Sequence, residues 1–81
     1  RSVLYKEGNL TISLFHNQQL ENETTYYFHI SMIKDKKLLN IQIEPFEFYP
    51  KLEELLGSQE TKKIWYLIKP KIIKIFPTFH L

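Results

Sequence analysis

Leu10, Ile12 and Leu14 alternate with Thr11, Ser13 and Phe15, the period-two pattern of a strand with one buried face. Residues 2–6 read as a strand before it, and Glu7-Gly8-Asn9 between them carries a turn signal, because glycine accepts a positive φ. Residues 1–16 therefore form either one bent strand or a hairpin about Gly8. Residues 17–24 are polar and are expected to be an exposed loop. Across residues 25–33, Tyr26, Phe28, Ile30 and Met32 share one face of a further strand, with Tyr27, His29, Ser31 and Ile33 on the other. A charged turn over residues 34–37 leads into a strand in which Leu39, Ile41 and Ile43 alternate with Asn40, Gln42 and Glu44.

Pro45 closes that strand, because proline has no N–H for the ladder. After Pro50 the period changes. Leu52, Leu55 and Leu56 lie at helical spacing and Gly57 follows as a stop, predicting a two-turn helix from Pro50. Residues 58–61 read as a loop or a second helical piece. Residues 64–68 and 72–76, rich in Ile and aromatics and split by Lys69-Pro70-Lys71, read as two more strands at an edge. The predicted class is mainly β within a small α+β domain. Its antiparallel barrel or sandwich has five or six strands, with the short helix before the last two. That element order is the one found in OB-folds, though no residue motif accompanies it.

The 81 residues make one small domain, 43% hydrophobic, 15% aromatic and 25% charged, an ordinary globular balance. The chain opens on Arg1-Ser2 and closes on an apolar run, an outline expected of a domain cut from a longer polypeptide. The absence of Cys removes disulfides and thiolate chemistry and favours an intracellular setting. Asn9-Leu-Thr and Asn22-Glu-Thr match the glycosylation sequon, as chance matches do in a chain with several Asn and Thr. With three His and no Cys the composition argues against a structural zinc site, and no apolar run is long enough for a membrane span. No cofactor motif is present.

Charge is segregated along the chain. Residues 1–60 carry a net −3 and residues 61–81 a net +5, giving the overall +2. As strands, residues 63–69 place Lys63, Trp65, Leu67 and Lys69 on one side. These residues, with Lys71 and Lys74 and with Tyr27 and His29 nearby, suit single-stranded DNA or RNA, whose phosphates meet lysine and whose bases stack on rings. Edge lysines also guard against aggregation, and a lone Trp commonly anchors a core. Arg1 is the only arginine, and the mild net charge weighs further against nucleic acid.

Tyr27, His29 and Ser31 share a strand face without the carboxylate and glycine-rich turn that a nucleophilic triad needs, so a solvated surface is expected there. Glu53 and Glu54 are adjacent on the helix and diverge, so they are no catalytic pair. Phe46, Phe48 and Tyr49, held between Pro45 and Pro50, are candidate anchors for a protein partner. The edge at residues 72–76, with Ile72 and Phe76, is a candidate for strand addition. The expectation is thus a non-catalytic interaction or scaffolding module with a protein partner in a larger assembly. The alternative is an OB-type domain binding single-stranded nucleic acid.

Overall fold

The computed structural model describes the backbone of residues 1–20 and 23–79 and the side chains of 1–17 and 25–79. Four strands, β1 (Ser2–Glu7), β2 (Leu10–Leu20), β3 (Glu23–Lys34) and β4 (Lys37–Ile43), form an antiparallel sheet in chain order. A 3-10 turn (Pro45–Glu47) then leads into α1 (Phe48–Leu56) and α2 (Ser58–Ile75). The molecule is a small α+β domain with an open sheet and two helices.

The hairpins follow from local chemistry. Glu7 pairs with Leu10 across Gly8-Asn9, and Gly8 takes φ 58°, the positive value that the first central position of a II′ turn demands. The early residues are thus a hairpin. Lys34 pairs with Lys37 across Asp35 and Lys36, both with positive φ (52° and 66°), as a type I′ turn requires. The left-handed conformation suits Asp but strains a lysine. Lys36→Gly is therefore expected to raise the unfolding free energy by about 1 kcal/mol. The check is a higher urea midpoint at unchanged slope.

Antiparallel register puts Leu14, Phe28 and Ile43 in one row and Ile12, Ile30 and Ile41 in the next, all on the face that the helices cover. Leu4, at a bulge between Val3 and Tyr5, joins them. Phe48 and Leu52 of α1 and Ile64, Ile68 and Ile72 of α2 complete the core. Gly57, at φ 86°, separates the helices. Its carbonyl accepts the hydroxyl of the buried Thr61 at 2.7 Å, which satisfies that side chain inside the core. At the far end of α2 the Tyr26 hydroxyl donates to the Ile75 carbonyl at 3.3 Å, and its ring stacks on Phe76 at 3.9 Å. Phe79 then folds back against Phe28, Trp65 and Phe76 and is itself buried.

Several expectations are corrected. Residues 64–68 and 72–76 are not strands but parts of one helix. Thr61, Ile64, Ile68 and Ile72 recur every three or four residues and all face the sheet, so burial selects the helical period over the β preference of isoleucine. Pro70 sits inside α2 rather than ending a strand. With those strands gone, neither a five- or six-stranded barrel nor an OB-like order remains. The sheet stays open, with two helices on one face. The loop expected at residues 17–24 is instead strand as far as Leu20 and again from Glu23, with residues 21 and 22 outside those described. Helix α1 begins at Phe48, two residues before Pro50, because Pro50 falls within the first turn, where its missing N–H has no helical partner.

Candidate interaction face

Burial of Thr61, Ile64, Ile68 and Ile72 fixes what α2 turns outward. At 100° per residue the opposite side carries Lys62, Lys63, Tyr66, Lys69, Pro70, Ile73 and Lys74. Tyr66 is 82% exposed at the crest of this side, with Leu67 at 55% and Ile73 at 41%. Two shallow hollows meet at Tyr66. One, of about 420 Å³, is lined by Lys62, Trp65, Tyr66, Lys69 and Pro70. The other, of about 440 Å³, is lined by Lys62, Lys63, Tyr66 and Leu67. A single exposed aromatic is ordinary, but a contiguous aromatic and aliphatic crest walled by lysines is the kind of patch that marks a contact surface.

The electrostatics of α2 are one-sided, with five lysines against Glu60 alone. Lys63 lies 3.7 Å from Glu60, an exposed pairing of small energetic weight. Lys71 lies on the flank facing β1, where its ammonium donates to the Leu4 carbonyl at 3.2 Å and closes the sheet edge. Among the described residues Lys62, Lys69 and Lys74 form no ion pair. Near the start of α2, the hydroxyl of Tyr5 donates to the Glu7 carboxylate. That hydrogen bond, with lesser contributions from burial and from the charges of Glu7 and Glu60, pushes the phenol up to about 12.

The residues singled out in the sequence fall into three places. Phe48 and Ile72 are fully buried, so a folded domain offers neither to a partner. Phe48 stacks on Phe28 at 3.9 Å. Tyr49 and Phe76 are half-buried, against Trp65 and Tyr26 respectively, and only Phe46 stands out, at 72% exposed. Ile72 lies in a helix, which removes the strand edge expected at residues 72–76. Tyr27 and His29 lie on the outer face of the sheet, opposite α2. There Phe15 stacks on Tyr27 at 5.0 Å and meets His29 edge-on. The strand neighbours of Tyr27, His29 and Ser31 are Phe15, Ser13, Gln42, Thr11 and Asn40, and none is a carboxylate. Trp65 leans on Phe48, Tyr49 and Phe79. The lysine and aromatic face expected from strand periodicity is thus divided between two sides of the molecule.

Lys62 and Tyr66 belong to the basic, aromatic stretch of residues 61–81, but strand periodicity puts Tyr66 on the opposite side from Lys63, Trp65 and Lys69, and neither they nor Ile73 join the candidate face. Their signal is the spacing Lys62, Tyr66, Lys69, Ile73, which is a stripe only at helical period. Among the described residues no cluster of His, Asp or Glu is placed to hold a metal ion, and no helix is long and apolar enough to cross a membrane. The fold and this face define a small antiparallel-meander α+β domain with a basic, aromatic-crested helix. The chain matches no protein-family model, no curated protein and no solved structure.

Proposed function

We propose that this chain is a non-catalytic interaction module that docks an acidic surface of a protein partner on the outer side of α2. The observation that carries the reading is Tyr66, 82% exposed between Lys62, Lys63 and Lys69 on a helix whose other side is locked into the core. A rigid helix presents these groups without further ordering, which lowers the entropic cost of binding. Tyrosine is a favoured anchor at interfaces, and Ile73 and Leu67 add apolar area beside it. The lysines are point charges that steer an acidic partner and set the salt dependence of encounter.

Single-stranded nucleic acid is the second reading, supported by the same exposed ring among lysines. The division of Tyr27 and His29 from the lysines weakens it, as does the convex shape of a helix where strand-tracking sites use a groove. A photo-crosslinking residue in place of Tyr66, used in the source cell, tests both. The expected product is a nuclease-resistant adduct with an acidic protein, lost in a Lys62→Glu, Lys69→Glu variant that still folds. A nuclease-sensitive adduct, or saturable binding of a mixed-sequence oligonucleotide seen in Trp65 fluorescence, would transfer the site to nucleic acid.

A further inference from the structure

The two edges of the sheet differ in kind. Along β1 the ladder is interrupted by the bulge between Val3 and Tyr5, and Lys71 reaches over from α2 to occupy the Leu4 carbonyl. Both are devices that blunt an edge. Among the described residues β4 is bonded to β3 alone, in unbroken register from Phe28 opposite Ile43 to Lys34 opposite Lys37. It contains no proline and no bulge, and Lys37, at its start, is its only charge.

Hairpin parity shows which backbone groups of β4 are unused. A two-residue turn makes the flanking pair, Lys34 and Lys37, a hydrogen-bonded pair. Alternation then points the N–H and C=O groups of Lys37, Leu39, Ile41 and Ile43 at β3. Those of Leu38, Asn40 and Gln42 point away from it, and all three residues are exposed. Leu39 and Ile41, on the helix-covered side, are only half-buried. An open backbone row therefore runs beside an incompletely covered apolar row.

We propose that the occupant of this edge is a second copy of the chain, with β4 pairing antiparallel to β4 about a twofold axis at Asn40. This centring alone engages all seven residues of the strand with the outward groups in phase. Asn40 meets Asn40 of the second copy, and Leu38 meets Gln42, each as a hydrogen-bonded pair. Leu39 meets Ile41 on the covered side, and Lys37 meets Ile43, so no like charges are opposed. A strand centred instead on Leu38 or Gln42 leaves part of its length unpaired. The interface is isologous and closed, since each β4 edge is used once. It lies at the opposite edge of the sheet from β1, against which α2 packs. Dimerisation therefore leaves the α2 face free and stands independently of the partner reading above.

Sedimentation velocity and light scattering from micromolar to millimolar protein test this. Wild-type protein is expected to pass from monomer to dimer across that range. Asn40→Pro removes an outward N–H but no bond to β3, so the monomer keeps its thermal midpoint while association weakens by about 100-fold. Two surface double variants serve as well should that proline prevent folding. Leu38→Lys with Gln42→Lys opposes like charges and weakens the dimer several-fold. Leu38→Glu with Gln42→Lys pairs unlike charges and tightens it. A monomer at every concentration, or a dimer indifferent to these changes, overturns the proposal.

Discussion

Phe48→Ala is expected to lower the unfolding free energy by about 3–5 kcal/mol, the cost of removing a buried aromatic ring and leaving part of its volume empty. The ring is fully enclosed, stacked on Phe28 at 3.9 Å with planes 12° apart, and inclined to Trp65 at 6.3 Å. It joins the helices to the sheet, so neither layer alone can close over the gap. At about 0.05–0.15 kcal/mol per residue, 81 residues have a total stability of roughly 4–12 kcal/mol. The substitution is therefore expected to leave the variant marginal or unfolded at room temperature. Phe46→Ala, two positions earlier and 72% exposed, is expected to stay within about 0.5 kcal/mol of the parent. Urea unfolding followed by Trp65 fluorescence compares the two directly, since Trp65 lies against Phe48 but has no ring contact with Phe46 among the described residues. A stable Phe48→Ala protein would return that residue to the surface as a partner anchor, the role that its position between two prolines suggests in the sequence.

That pair of residues shows how far the sequence could be read. Pro45-Phe-Glu-Phe-Tyr-Pro50 announces aromatics in a short irregular stretch, but nothing local says that Phe48 turns inward and Phe46 outward. The difference is created by Phe28, twenty residues earlier on a central strand. The meander was legible because each half-buried strand alternates and because Gly8 and the charged residues 34–37 mark the turns. The extensions to Leu20 and from Glu23 were not. Beyond Leu14 on β2 and before Phe28 on β3 the hairpin has no third strand beside it, and the polar run of residues 17–24 carries no period-two pattern from which that pairing could be read. The exposed stripe of α2 was hidden for a different reason. Whether Tyr66 sits with Lys63 and Lys69 or opposite them depends wholly on the period assumed. The density of isoleucine around it argued for the wrong one.

Pro70→Ala addresses that choice of period, and it is expected to stabilise the protein by about 1–3 kcal/mol. Inside a helix, proline supplies no N–H to the carbonyl four residues earlier and its ring crowds that group, a cost of about 3 kcal/mol relative to alanine in an unconstrained interior. Here the carbonyl belongs to Tyr66, on the exposed side of α2, where water can take the place of the missing donor. The exposure of this turn and the burial of Ile72 beyond it account for a helix that continues through Pro70 to Ile75, and for a gain from alanine below the full penalty. In a chain whose residues 64–68 and 72–76 were separate strands, Pro70 would occupy a turn. Its replacement there would be neutral or would destabilise, because the unfolded chain gains freedom when proline is removed. The sign of the shift in urea midpoint therefore decides between the two secondary structures. Helical content by circular dichroism should be unchanged or slightly raised. The same variant bears on the proposed docking face, because Pro70 lines the hollow with Lys62, Trp65, Tyr66 and Lys69. A more stable helix with a weaker cross-link at Tyr66 would show that this ring contributes contact area, at the expense of the helix that carries it.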